Sequence, residues 1–416
     1  MTRLSRATLG RAAAGARRPA YDPAELRLGV AHLGVGAFHR AHQAVFTEDA
    51  IEAAGGDWGI VGLSLRRPDA AAALNPQDGL YTLEIRAAEP TWRIVGALRR
   101  VITAAREPDA ALAALADPAI HAITLTVTEP GYALGPDGGL DFGHADIVHD
   151  LAEPERPRSA VGWLVAALAR RREAGAGPVT VLSCDNLRDN GRRLEGAVEA
   201  LARRRDPGLA AWIAGEATFP NSMVDAITPA SDAALAARVR KAVGLADHAP
   251  VQREPFAEWV IEDRFAGPHP AWERAGARLV ADVARYEALK LHVLNAAHSA
   301  LAYLGLPRGH SLVHEAIADP EFAAFLDAMI AEEVAPALAP TPSPADVAAY
   351  WRTTRERFAQ PAMDHRLDQI ARDGAAKLRE RIHPLIIANT RAGRPASRLE
   401  AVVRAWAALS PPGAWR

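Results

Sequence analysis

Lys290 lies in the run Tyr286-Glu287-Ala288-Leu289-Lys290-Leu291-His292-Val293-Leu294-Asn295-Ala296-Ala297-His298, where ionisable and amide groups are set into an apolar helical pattern. Of 48 basic residues, all but Lys241, Lys290 and Lys377 are arginine. Arginine keeps its charge, whereas a desolvated lysine can give up its proton near neutral pH. A lysine retained in such a chain is therefore a candidate acid/base. On an α-helix turning about 100° per residue, with Lys290 at zero, Glu287 falls at about 60°, His298 at about 80° and Asn295 at about 140°. Leu289, Val293, Leu304 and Ala297 fall outside that arc, between about 260° and 340°, and His292, at about 200°, points toward packing. An ammonium that exchanges a hydroxyl proton, beside amide and imidazole donors for a developing alkoxide, equips a chain for carbonyl–alcohol redox chemistry. The same lysine also suits Schiff-base, aldolase-like chemistry.

A second feature tilts the balance toward redox. The apolar run Leu28 to Leu33 ends in Gly34-Val35-Gly36, and a helical pattern begins near Arg40. Glycines after a first strand let backbone N–H groups approach a dinucleotide's pyrophosphate, and the following helix start favours its charge. The fingerprint is incomplete: His39 holds the third glycine's place. The acid expected about 20 residues on is missing as well. The next strand runs instead into Ser64-Leu65-Arg66-Arg67, which keeps a 2′-phosphate, and so NADP, open beside NAD.

The elements that must carry these groups follow from periodicity. Strands are predicted at Leu28–Leu33, 59–65, 122–127 and 179–184, separated by helices at 41–54, 110–116, 161–173 and 191–205; loops are predicted at 128–140 and 264–271. Alternation of this kind implies a parallel sheet covered on both faces. From about Arg274 the strand-like runs stop and alanine/leucine-periodic segments take over. The expectation is an α/β fold: an N-terminal extension (1–20), a Rossmann-like parallel-sheet domain (21–273), and a mostly α-helical C-terminal domain (274–416) carrying the catalytic and substrate groups.

Composition narrows the classes. A net charge of −2 gives no reason to expect nucleic acid or an anionic membrane as partner, and no apolar run is long enough to span a bilayer. The lone Cys184 excludes intramolecular disulfides and fits a reducing compartment. Arg3, Arg6, Arg11, Arg17 and Arg18, with no acid before Asp22, resemble a transit peptide, but arginine and alanine are abundant throughout; the reading is an extension on a cytoplasmic protein. His310 and His314 are spaced i, i+4 without a third ligand pattern, so no metal is expected.

Further segments complete a pattern: His32-Leu33-Gly34-Val35-Gly36-Ala37-Phe38-His39-Arg40-Ala41-His42, Thr126-Val127-Thr128-Glu129-Pro130-Gly131-Tyr132, Ser183-Cys184-Asp185-Asn186-Leu187, Phe219-Pro220-Asn221-Ser222-Met223-Val224-Asp225, Trp259-Val260-Ile261-Glu262-Asp263, the lysine helix, and His365-Arg366 with Gln369 to Gly374. In these segments the chain resembles the mannitol dehydrogenase family of polyol-specific long-chain dehydrogenases, which includes fructuronate reductases. The resemblance implies a metal-independent NAD-dependent enzyme, with NADP open, acting on a keto-sugar or keto-hexuronate as a monomer or weak homo-oligomer. It implies Lys290 as general acid/base, Asn295 and His298 as the oxyanion site, and Glu287 as the proton link to solvent. Gly34, Gly36, Phe38, Arg66, Glu129 and Asn186 would hold cofactor, with Asn186 and Asn221 bridging it to substrate; Asp225 and Lys377 would face the substrate. Gln369 beside His365-Arg366 inclines the substrate to fructuronate over fructose, the mannitol 2-dehydrogenase alternative. Pro130, Ala375, Arg379 and a C-terminal end that is early for the family at Pro411–Arg416 depart from the pattern and keep a non-catalytic dinucleotide-binding paralogue open.

Overall fold

Six strands form the main sheet of the N-terminal region, and all but one are short, largely buried and mainly apolar runs, the signature of a parallel sheet covered on both faces. In the computed structural model, which describes residues 2–409, they are β1 Leu28–Leu33, β2 Gly59–Ser64, β3 Leu98–Thr103, β4 Ala122–Leu125, β5 Val179–Ser183 and β6 Ala217–Thr218. Their spatial order is 3-2-1-4-5-6, with every neighbouring pair parallel. This is the doubly wound dinucleotide-binding order. Strand order reverses between β1 and β4, which opens a crevice beyond their carboxyl ends. Leu33 pairs in register with both Leu63 and Leu125, so the glycine turn leaves the sheet at that crevice. Helices Pro108–Ala116, Ala160–Glu173, Asn190–Arg205 and Pro207–Glu216 cover one face through Leu112, Leu164, Leu168, Leu194 and Ile213. Helix Gln43–Ala54 packs with the core of the other face.

The chain divides into two units, Met1–Val283 and Ala284–Arg416. The first also holds a four-stranded sheet (Ala16–Arg17, Thr91–Val95, Tyr81–Ile85, Val251–Arg253) and a three-stranded one (Ser222–Asp225, Glu258–Glu262, Arg278–Val280). The segment expected as an N-terminal extension is built into this unit. Leu4 and Ala12 are buried, Arg3 bridges Ala246, and Ala16–Arg17 pairs in parallel with Trp92–Arg93. β3 escapes a hydrophobicity reading because Arg99 and Arg100 interrupt it; as the edge strand it carries them at little cost, since one flank stays open.

The second unit is helical among its described residues. Ala284–Leu289, Lys290–Asn295 and Ala296–Gly305 form one continuous helix whose middle segment is a π-helix. Around it lie helices Pro320–Ala328, Pro344–Phe358, Gly374–Arg381, His383–Arg391 and Ser397–Leu409, sharing a core of Val293, Ala297, Leu301, Trp351, Phe358, Leu378 and Trp406. Caps set several starts: Asp319 accepts from the Glu321 and Phe322 amides, and buried Glu333 accepts from Arg398 and Leu399 at the head of the last long helix. The expected early end at Pro411–Arg416 lies outside the described residues.

Candidate active site

Gly34 has φ +94°, and a Cβ there would sit 2.1 Å from the Thr126 carbonyl oxygen, so both backbone conformation and packing demand glycine. Gly36 is different. A Cβ there would meet nothing closer than the Gly34 carbonyl at 3.8 Å, so the protein itself does not require the missing side chain; it leaves the approach to the turn open. The turn borders a cleft of about 450 Å³ lined by Gly34–Gly36, Ser64–Arg67, Thr126–Thr128 and the segment Arg158–Ala160. That volume lies within the range of small-molecule sites. The open turn, the crevice and the donor-rich wall fit a dinucleotide phosphate. Gly34→Ala is expected to weaken NADH binding by at least about tenfold, about 1.4 kcal/mol, as read by titration of NADH fluorescence; unchanged affinity would show that the turn does not hold the cofactor.

His39, in the third glycine's place, is buried and stacks on His32 at 3.4 Å between ring centroids. His32 in turn bonds Thr124 Oγ1 (2.7 Å) and Thr126 Oγ1 (2.9 Å), linking β1 to β4 below the crevice. Close packing that glycine normally permits is here achieved by flat stacked rings. Burial drives both imidazoles well toward the neutral form, His32 to about 3.

The loop after β4 carries strain. Thr128, β-branched, has φ +66°, outside the comfortable range for such a side chain. Buried Asp185 holds it there, accepting from the Val127 (3.0 Å) and Thr128 (2.8 Å) amides and from Tyr132 Oη (2.6 Å). Burial raises the Asp185 carboxyl, with these donors opposing. Asp185 was not among the candidates read from the sequence, although it stands next to one of them, Asn186.

The candidate cofactor residues are distributed unevenly. Gly34, Gly36 and Arg66 line the cleft; Glu129 is exposed beside it, and Asn186 is exposed just beyond β5. Arg66 pairs with Asp146 at 2.6 Å, so an acid does reach this wall, from a later segment than the usual fingerprint uses. Phe38 stacks on His42 at 5.0 Å. Asn221 is buried: its Oδ1 accepts from the Arg192 amide (3.1 Å), and its own amide donates to Glu262 (2.9 Å). Asp225, also buried, ends a strand opposite Glu258.

In the second unit the π-helix changes the geometry expected from an α-helical wheel. In an i→i+5 turn, residues five apart approach one line, so Lys290 and Asn295 come closer to a common face than the wheel implies. His298, three residues into the following α-helical segment, extends that face. Arg381 braces the turn: its Nη1 donates to the Asn295 carbonyl (3.2 Å) and to Ser299 Oγ (3.2 Å), and its carbonyl accepts from His292 Nδ1–H (3.0 Å). Lys290 and Glu287 are half-buried. Lys377 donates to the Ile370 (3.0 Å) and Arg372 (2.5 Å) carbonyls, tying down the end of helix Leu367–Ile370. Gln369 and Arg366 are exposed, Arg366 pairing with Asp368 at 2.8 Å.

His298 is the electrostatic centre of this face. It is 7% exposed, stacks on Phe358 (4.3 Å) and meets His365 edge-on (4.9 Å), and its Nε2 has no partner within the protein. Burial first, then His365, Arg381, Arg357 and Lys377, hold it well below the usual histidine range. His365 is pushed down to about 4, again mainly by burial. A neutral imidazole with an unused nitrogen beside three cations can donate to, or accept from, a polar ligand.

A pH prediction follows from linkage. Histidines kept neutral contribute stability that is complete above their unfolded value of about 6.5 and is lost as pH falls, because the unfolded chain takes up protons the folded chain refuses. His32, His39, His298 and His365 all act in this sense; Glu48, raised to about 7 by burial, and Asp185, also raised by burial, act oppositely. Four outweigh two. The guanidinium midpoint of unfolding is expected to fall between about pH 7.5 and 5, and a rise over that window would contradict the placement of these rings.

Among the described residues no cluster of three or more His, Cys, Asp or Glu side chains is arranged to hold a metal ion, and His310 pairs with Asp319 at 3.3 Å. No helix among them is long and apolar enough to cross a membrane.

A sheet of doubly wound dinucleotide-binding order is followed by a helical unit whose central helix carries Lys290, Asn295 and His298, an architecture that dehydrogenases use. Comparison with known proteins specifies which kind: residues 28–274 match the mannitol dehydrogenase Rossmann domain and residues 282–410 the mannitol dehydrogenase C-terminal domain. The D-mannonate oxidoreductase of Escherichia coli (strain K12) is 40% identical over 371 residues, 88% of this chain and 76% of that protein. A mannitol 2-dehydrogenase of Cereibacter sphaeroides is 40% identical over 380 residues, 90% of this chain and 79% of its own length. The structure of Pseudomonas fluorescens mannitol 2-dehydrogenase in ternary complex with NAD and D-mannitol superposes with a TM-score of 0.90 at 38% identity, covering 98% of this chain and 84% of that one. The chain belongs to the mannitol dehydrogenase family.

Proposed function

We propose that this protein is a metal-independent, NAD-dependent reductase of a keto-hexuronate, fructuronate being the preferred substrate, and that it also runs in reverse. The observation that carries the reading is His298, neutral and with an unpartnered Nε2, on the same helix as Lys290 and among Arg381, Arg357 and Lys377. A bound nicotinamide supplies or accepts the hydride. The chain's residues do the rest. In the reducing direction Asn295 and His298 donate to the carbonyl oxygen as it gains charge, and the Lys290 ammonium gives that oxygen its proton. Glu287, one turn earlier, exchanges the lysine's proton with solvent. Gly34 and Gly36 admit the pyrophosphate, with Phe38, Arg66, Glu129 and Asn186 around the cofactor. Asn186 and Asn221 bridge cofactor and substrate, Asp225 is a substrate-side residue, and Lys377 faces the substrate's polar end.

Two features support the finer choices. The cations around His298 favour a substrate that carries a carboxylate, a firmer basis than Gln369, which is exposed. Asp146, paired with Arg66, neutralises the charge that a 2′-phosphate would need, which favours NAD over NADP. The likeness to a mannitol 2-dehydrogenase over almost the whole chain favours the second reading, fructose and mannitol.

Oxidation of NADH and NADPH, followed by their near-ultraviolet absorbance with fructuronate, tagaturonate, fructose and xylulose, separates these. The expected result is a kcat/KM for fructuronate with NADH at least about tenfold above fructose, a difference of about 1.4 kcal/mol at the transition state. The reverse order makes the protein a mannitol 2-dehydrogenase. Saturable NADH binding without turnover of any sugar would leave a non-catalytic dinucleotide-binding protein.

A further inference from the structure

A second cavity in the first unit, about 160 Å³, shares no lining residue with the dinucleotide cleft and is walled by His42, Phe46, Asp49, Arg253, Pro255 and Gly276 among others. Arg253 ends the strand Val251–Arg253 and is only 9% exposed, yet its Nε and Nη1 have no hydrogen-bond partner within the protein. Two other cations nearby, buried Arg93 and the partly exposed Arg238, have acidic partners. Arg93 has Asp49 at 2.7 Å and Glu48 at 4.0 Å, and Arg238 grips Glu84 at 2.6 Å and Gln252 at 3.0 Å. Asp49, the carboxylate on the cavity wall, is engaged through Oδ1 by Arg93 and, at 3.5 Å, by Arg17, which leaves Oδ2 as its one further acceptor against Nε and Nη1 of Arg253. The cavity therefore has a surplus of strong donors over acceptors.

A guanidinium is a planar fork that matches the paired oxygens of a carboxylate or tetrahedral oxyanion. Arg253 is itself buried, and a contact to a buried guanidinium is stronger than one made in open solvent. A water occupies about 30 Å³ of liquid, so the cavity has room for a small oxyanion and not only for a single water. Burial, then the charge of Arg93, pushes Arg253 down to about 10, with Asp49 and Glu254 opposing; an anion would restore its usual affinity for the proton.

We propose that this cavity binds a small oxyanion, either inorganic phosphate or the carboxylate of a small metabolite, through the Arg253 guanidinium. The site is independent of the reaction proposed above. Thermal unfolding of the whole chain is measured at constant ionic strength, with phosphate and, separately, acetate replacing chloride, for the natural protein and for Arg253→Met. Both ions raise the melting temperature if the site accepts oxyanions generally, and phosphate alone does so if it selects a tetrahedral one. In either case Arg253→Met is expected to weaken the response at least about tenfold in anion concentration, about 1.4 kcal/mol. An equal response in the variant, or none in the natural protein, overturns the proposal. If Arg253→Met does not fold, crystals of the natural protein soaked in selenate decide: an anomalous peak within hydrogen-bond distance of Arg253 Nη1 is expected, and a map without one overturns the proposal.

Discussion

Lys290→Ala is expected to lower kcat by about 10²–10⁴-fold, the usual worth of a positioned acid/base, while the Kd for NADH changes by less than about twofold. The separation arises because the cofactor fold and the lysine helix belong to different units of the chain. Lys290→Arg should be almost as inactive despite retaining the charge, because a guanidinium does not release its proton on the catalytic timescale. A small primary amine added to the alanine variant should restore part of the turnover, which a merely structural lysine would not allow. Turnover unchanged in Lys290→Ala would remove the proton-transfer mechanism, and covalent trapping of a sugar on Lys290 by borohydride without cofactor would replace it with Schiff-base chemistry.

His298→Ala and Asn295→Ala are each expected to cost about 10²–10³ in kcat, the measured worth of one oxyanion donor. The double variant should lose less than the sum of the two effects, since both act on one oxygen. For His298 the expectation rests on a buried, neutral ring whose Nε2 has no partner in the protein. For Asn295 it rests on position: the π-turn brings it toward the face of Lys290, and Arg381 holds its carbonyl. Steady-state kinetics distinguish this from a packing role. A rise in KM with kcat intact in both variants would mean that the residues bind substrate in the ground state and do not stabilise the developing alkoxide.

How far the amino-acid sequence discloses these features depends on what each residue must do. β1, β2, β4 and β5 are legible because strands buried on both faces are nearly pure apolar runs. β3 is not, because Arg99 and Arg100 break the run at a sheet edge where exposure is permitted. Strands Tyr81–Ile85 and Thr91–Val95 are hidden similarly, Glu84 and Arg93 being buried only because Arg238 and Asp49 answer them from elsewhere in the chain. The Gly34 turn is visible since only glycine takes φ +94°, but the stacked His32 and His39 beneath it are not, because stacking joins two elements by tertiary contact. The lysine helix shows in the spacing of its polar groups; its π-turn does not, since hydrophobic periodicity does not reveal which carbonyl each amide chooses. Lys377 is prominent as one of three lysines, yet two carbonyls of its own unit already engage it.

The central claim, hydride transfer to a sugar carbonyl with the chain supplying the proton, is tested most directly by isotope transfer. Fructuronate and, in parallel, fructose are reduced with NADH deuterated at the transferring position, and the isolated product is examined by mass spectrometry and NMR. The predicted result is one deuteron on the carbon bearing the new hydroxyl, and in deuterated water with ordinary NADH none on that carbon. An unlabelled product, or NADH recovered intact beside a converted sugar, would contradict the account.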